Sequence, residues 1–292
     1  MIETGKELRR KRSYQRREIW RRLRKNKLAM AGLAVITIFV LAAIFADLIA
    51  DYDTQALRMS IDMRQPPSAS HWFGTDVAGR DVLARIVHGA RISLSLGLAV
   101  TAISLVLGGL LGAIAGYFGG IVDNIIMRTM DMLICIPPIL LALAIVAALG
   151  NSIPNLLIAI AVASVPGSAR FIRSVILTVV GQDFIESARA GGSGAMGVIV
   201  KHVLPNAIGP IIVQVTMSIA GMILTASSLS FIGMGVQPPR PEWGVMLSEA
   251  RSQMLNYPYL VVFPGLAIVL TALSLNLFGD GLRDALDPRL KN

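Results

Sequence analysis

Few side chains in this sequence could do chemistry, and their spacing does not assemble a reaction centre. The three histidines, His71, His88 and His202, are scattered, and no two stand at metal-ligand spacing. The HEXXH and GXSXG patterns are both absent, so neither a zinc-activated water nor a nucleophile elbow is expected. A phosphate-cradling GXXXXGK[ST] loop is also missing, because Gly5-Lys6 lacks the upstream glycine. The chain is therefore not expected to hydrolyse ATP by itself, and no cofactor or metal is expected. Arg128 and Asp131, three residues apart, would share a helix face and predict a locally paired, interfacial couple. Cys135, the one cysteine, excludes an intrachain disulfide and a multi-cysteine metal site, and its apolar surroundings suggest packing.

The elements that would carry these residues are apolar. Of 292 residues, 54% are hydrophobic and 15% charged, which is membrane-like composition. No Asp, Glu, Lys or Arg occurs in five stretches of 19, 31, 38, 38 and 28 residues, beginning after Lys27, Arg91, Asp131, Lys201 and Arg251. About 20 apolar residues cross the hydrocarbon core as a helix, so each 38-residue stretch is too long for one straight span. The turn signal LGNSIPN at 149–155 splits the first into a helical hairpin, and GMGVQPP at 233–239 ends the second in a loop. Six spans result, at 28–49, 93–117, 124–149, 155–174, 206–232 and 258–279. No span has an acid at its middle, which argues against a proton- or ion-coupled carrier.

Residues 1–27 hold 12 of the 27 Lys+Arg against three acids and predict a basic cytoplasmic tail. With that end inside, the inner segments carry 20 cations and the outer loops seven. Both termini are then cytoplasmic. The expected organisation is tail 1–27, first transmembrane helix 28–49, extracytoplasmic loop 50–92, a five-helix core 93–280 with a cytoplasmic loop 176–205, and a C-terminal tail 281–292. A pI of about 10.2 could suggest nucleic acid, but the charge excess abuts a hydrophobic helix, as anionic lipid headgroups favour. No nucleic-acid partner is expected. A cleaved signal peptide would need a shorter apolar run and a small-x-small cleavage site.

In the outer loop, TDVAGRD combines Asp76, Gly79, Arg80 and Asp81 as a turn and helix start would. Val82, Leu83, Ile86 and Val87 then fall on one face, with Arg85 and Arg91 elsewhere. This predicts a short interfacial helix ahead of the second span, entered through a capped turn or engaged by a soluble partner. The second outer loop, GVQPPRPEWG at 235–244, is stiffened by three prolines, and Trp243 suits the headgroup level.

The inner loop holds ESARAGGSGAMGVIVKHVLP, residues 186–205. Helical spacing runs from Phe171 to about Ala190; Gly191-Gly192 suits a sharp reversal, and Ser193 could cap a short second helix. Pro205, without an amide donor, is tolerated in the first turn of the next span. The product is a protruding knob continuous with two spanning helices, its small side chains allowing another surface to approach.

Glu186-Ser187-Ala188, three residues, Gly192, nine residues, then His202-Val203-Leu204-Pro205 resembles the EAA loop of ABC importer permeases. Ser187 and His202 depart from the usual residues, while the acid, the glycine and Leu-Pro keep register. FGTDVAGRDVLARIVHGARISL, AGYFGGIVDNIIMRTMDM, GVQPPRPEWGVML and FPGLAIVLTALSLNLFGDGLRDALDPRLK extend the resemblance to dipeptide/oligopeptide importer permeases of the second-permease type. That resemblance implies an all-α, six-helix permease of type I importer architecture in the plasma membrane. It implies pairing with a homologous permease, docking of two ABC ATPase subunits inside, and delivery of peptide by an extracytoplasmic solute-binding protein. The loop would be the coupling helix: Gly192 makes the turn, Leu204-Pro205 starts the fifth span, and Glu186 orders the loop through hydrogen bonds or a partner charge. Permeases for nickel or glutathione share these motifs. A stand-alone channel or carrier lacks a mid-membrane ionisable pair here, and a membrane enzyme lacks its nucleophile and base.

Overall fold

The computed structural model describes residues 17–286 of the chain, and the ends of the basic and C-terminal tails lie outside the described residues. Helix α1 (17–25) is followed by α2 (Lys27–Ile44) and the short α3 (Ala46–Ile49). After a loop come α4 (Val82–Phe118), α5 (Gly120–Ile134), α6 (Pro138–Leu149) and α7 (Ile153–Val180). The inner loop holds α8 (Asp183–Ala190) and α9 (Ala195–Val198), and α10 (Leu204–Ile232), α11 (Trp243–Ala250) and α12 (Tyr259–Leu286) complete the chain. Among the described residues the only β pairing is an isolated bridge between Thr75 and Asp81.

Five helical stretches are long and apolar enough to cross a membrane, and α5 with α6, bent by 82° at a short break, count as the sixth when the pair is taken as one span. The all-α, six-span expectation holds, with two changes of shape. The third span, expected at 124–149, is broken at Cys135–Pro137: Pro138 cannot donate an amide hydrogen and its ring excludes a continuous ladder. The second span does not begin at residue 93. It runs without interruption from Val82, so the separate interfacial helix is the outer third of a 37-residue helix, and Arg85 is buried on it, 1% exposed.

Helices α4 and α7 form the centre of the bundle. Gly108, Gly112 and Gly116, spaced by four, present a groove to α7. A Cβ on Gly108 would lie 2.7 Å from the Ser168 side chain, and one on Gly116 would lie 3.0 Å from the Arg173 carbonyl. Without those atoms the two backbones pack closely, and Ala169, Ile172 and Ile176 fill the seam. The bundle's two described ends meet: Leu23 of α1 packs on Ala285 of α12. An even number of crossings follows directly from that contact.

Candidate functional site

The inner loop is built as an anchored knob. Helix α8 buries Ile185 against Val198, Val203 and Ala207, together with Ile172, Ile176 and Val179 of α7. Its C-terminus closes in a Schellman turn: Ser193 N donates to Ala188 O at 3.2 Å and Gly192 N to Arg189 O at 3.0 Å. Gly192 takes φ +81°, a left-handed conformation that strains any residue with a Cβ. The Arg189 guanidinium lies 5.0 Å from the Tyr117 ring at the inner end of α4, tying the knob to a third helix.

The chain then re-enters the bundle without a second turn. One π-helical turn, Ile199–Val203, joins α9 to α10, so residues 195–232 form one continuous helical stretch. Pro205 lies in the first turn of α10, with Leu204 half-exposed before it. The expected Ser193 cap is corrected: the N-cap of α9 is Gly194, with no side-chain hydrogen bond. Ser187 donates its hydroxyl to Asp183 O at 3.0 Å and Ala188 is partly buried against the core, while Glu186 projects outward, exposed, without a partner among the described residues. Phe184, Met196 and Val200 of the same loop are also exposed, at 40, 72 and 53%.

The outer motif is a buried charge cluster. Gly79, at φ +78°, closes a turn in which Asp76 Oδ1 accepts from Ala78 N at 2.8 Å and Arg80 N at 3.0 Å. Asp76 Oδ2 then pairs with Arg80 Nε at 2.7 Å and Arg85 Nη1 at 2.5 Å. Both arginines also reach Glu249 of α11, at 2.8 and 2.7 Å. Burial opposes the charge on Arg80, but Asp76 and Glu249 outweigh it and hold its pKa above the ordinary value. Asp81 caps α4 by accepting from Ala84 N at 2.9 Å, and its other oxygen meets His71 Nδ1 at 2.9 Å. The four motif residues thus act together in a turn that starts α4, and the cluster clamps that turn to α11.

Three other expectations are corrected. Trp243 does not face headgroups: it is fully buried within the protein, donates from Nε1 to Ile86 O at 3.1 Å, and meets Phe39 edge-on. Asp131 pairs with Arg170 of α7 at 2.5 Å rather than with Arg128. Cys135 is exposed at the break between α5 and α6 instead of packed inside. Besides Glu249, two further acids escaped the sequence reading. Asp123 of α5 pairs with Arg173 of α7, one contact lying at 2.5 Å. Glu242, fully buried, accepts from the Ser93 and Ser227 hydroxyls at 3.1 and 2.9 Å and caps α11 through Val245 N at 2.9 Å. Its sequence signal was slight, one acid between Pro241 and an apolar run.

Comparison with known proteins places this geometry. Residues 108–292 match the family model of binding-protein-dependent transport system inner membrane components, and residues 15–67 that of the N-terminal transmembrane domain of oligopeptide transport permease C. The dipeptide transport system permease protein DppC of Alkalihalophilus pseudofirmus is 48% identical over 276 residues, covering 94% of this chain and 90% of that protein. The glutathione transport system permease protein GsiD of Escherichia coli is 47% identical over 274 residues, with the same coverage, 94% and 90%. The fold is that of the MetNI methionine ABC transporter in an inward-facing form: TM-score 0.55 at 18% identity, covering 70% of this chain and 97% of the matched one. The chain belongs to the binding-protein-dependent inner membrane components, the multi-pass permease subunits of ABC importers of the dipeptide and oligopeptide family.

Proposed function

We propose that this permease forms half of a translocation path for di- or oligopeptides and takes its driving force from separate ATPase subunits through residues 176–205. The supporting observation is the knob: Glu186, Ser187, Ala188, Gly192, Leu204 and Pro205 sit where α7 leaves the bundle and α10 returns. A force applied at α8 passes into both spanning helices through the Ile185–Val203 core, because packed interiors deform little. The unpartnered Glu186 carboxylate and the exposed Phe184, Met196 and Val200 offer a mixed charged and apolar surface to an ATPase cleft. A homologous permease completes the path, and an extracytoplasmic solute-binding protein delivers substrate to the outer loops, where Asp76, Gly79, Arg80 and Asp81 hold the surface in shape. Both termini face the cytoplasm, as the bias of Lys and Arg toward that side requires.

The test is Gly192→Val in the complete importer. A β-branched residue at φ +81° breaks the turn while leaving the spanning helices intact. Substrate-stimulated ATP hydrolysis and uptake in proteoliposomes should both collapse, with the permease still inserted and assembled. Unchanged stimulation and uptake would remove the coupling role. A second reading, import of glutathione, is favoured by the similarity to GsiD at nearly the same identity as to DppC. Competition of labelled dipeptide uptake by unlabelled glutathione separates the two.

A further inference from the structure

Helix α1 has two chemically distinct sides and is fixed in place by one of them. Leu23 is buried against Ala29 of α2 and Ala285 of α12, with Ile19 and Phe278 beside it. The chain turns at Asn26, whose Oδ1 caps α2 by accepting from Ala29 N at 3.1 Å. Gly281 allows this elbow to sit on the inner end of α12: a Cβ there would strike Ala29 and lie 3.4 Å from both Leu23 and Asn26. So the rotation of α1 about its own axis is set by packing.

The opposite side is exposed and basic. At 3.6 residues per turn, Trp20, Arg24, Arg17, Arg21 and Lys25 follow one another around the helix, the four cations within about 100° of arc. Residues 17–27 hold six cations and a single acid, Glu18. That acid lies on the far side from Trp20, where Arg21 pairs with it at 2.7 Å and Arg22 at 3.2 Å. Arg17 and Arg24, next to Trp20, have no carboxylate partner among the described residues. Trp20 itself is 51% exposed. The spanning helix α2 begins two residues after α1 ends, which holds α1 at the polar boundary of the bilayer.

We propose that the Trp20–Arg24–Arg17 edge of α1 binds the anionic headgroups of inner-leaflet phospholipids. Trp20 seats its apolar ring below the phosphates and its indole N–H among them, as amphipathic aromatics do at this depth. Arg17 and Arg24 flank it with planar donors matched to a phosphate diester, and their aliphatic stems lie along the same boundary. Glu18, the one acid of α1, is turned away from this edge and does not neutralise it. Because the other side of α1 is seated on α12, headgroup binding pins the inner end of a spanning helix to the leaflet surface. The inference rests on the cytoplasmic placement of the N-terminus and is independent of the coupling role of α8.

The test uses the complete importer in proteoliposomes of phosphatidylcholine containing brominated phosphatidylglycerol or, in parallel, brominated phosphatidylcholine. The difference in tryptophan emission between the wild type and Trp20→Phe isolates the Trp20 signal. Brominated phosphatidylglycerol should quench it severalfold more than brominated phosphatidylcholine at the same mole fraction. Arg17→Gln with Arg24→Gln should abolish that preference while peptide uptake shows the importer assembled; Lys6, Arg9, Arg10, Lys11, Arg12 and Arg16 keep the orientation signal. Equal quenching by the two lipids in the wild type, no quenching by either, or a preference that survives the double substitution overturns the site. If uptake persists in any of those cases, the transport reading stands without it.

Discussion

Arg80 and Glu249, 169 residues apart in the chain, meet at 2.8 Å on the outer side of the bundle. Arg85 joins the same carboxylate, and Asp76 closes the group, so two cations and two anions share a nearly dry site. Such a cluster contributes little net stability over an apolar equivalent, but removing one member leaves a buried charge without compensation. What it supplies here is position: the turn before α4 and the helix before α12 cannot move separately while it is intact.

Glu249→Ala should therefore destabilise the permease by on the order of 3 kcal/mol, leaving both arginines short of a partner. The measurement is the melting midpoint of the purified complex, and the same substitution should weaken stimulation of ATP hydrolysis by the solute-binding protein. Glu249→Gln, keeping the shape and one acceptor, should fall between. A midpoint equal to wild type for Glu249→Ala would show that the outer clamp is not needed.

This clamp also shows what the sequence could and could not reveal. The Asp-rich turn and the cap at Asp81 were legible because capping is local: the residues that satisfy the first turn of α4 lie within a few positions of it. The burial of Arg85 was not, since its compensating carboxylate comes from α11 and no short-range pattern announces Glu249. The same holds for Asp131, whose nearest cation in sequence, Arg128, is not its partner in space. Span number followed from charge-free length, whereas the 82° break did not, although Pro137-Pro138 stood in plain view. A proline pair in an apolar run is compatible with a kink or a break, and packing against α7 decides which. In the inner loop the glycine reversal was readable because Gly192 must adopt positive φ, but the fusion of α9 with α10 depends on burial of Val198 and Val203.

The two ion pairs from α5 to α7 are open to a charge swap. Asp123→Arg or Arg173→Asp alone should impair transport and stability, each placing like charges together at a partly buried contact. The double exchange should recover most of the loss, with a coupling energy of about 1–3 kcal/mol. A double variant no better than the worse single one would mean that Asp123 and Arg173 act separately.

Glu242 gives a different expectation because its partners are uncharged. Glu242→Ala removes the acceptor of two buried hydroxyls and one buried backbone N–H, at about 1–3 kcal/mol for each group left unsatisfied. The loss should appear as a lowered melting midpoint and as faster amide exchange in Trp243–Ala250, the helix that it caps. Glu242→Gln retains a carbonyl acceptor and should lose less. Equal effects of Ala and Gln would assign the stability to the carboxylate charge instead of to its hydrogen bonds.

The α4–α7 seam makes the strictest test of the fold, because two glycines three residues apart predict opposite outcomes. A side chain at Gly112 would press into the Ala169 carbonyl and lie 3.0 Å from Arg173 N, both backbone atoms that cannot swing away. A side chain at Gly109 would meet nothing within 4 Å. Gly112→Val should therefore force α4 and α7 apart and cost several kcal/mol, in the range of severe overpacking. Assembly with the partner subunits should fall with it, because α7 feeds directly into α8. Gly109→Ala should be neutral or stabilising by up to ~1 kcal/mol, since alanine is the better helix former and no neighbour objects. Melting midpoints and complex yield for the pair decide the matter. If Gly112→Val assembled as well as Gly109→Ala, the close packing of the two central helices would be wrong, and with it the route from the knob to the bundle.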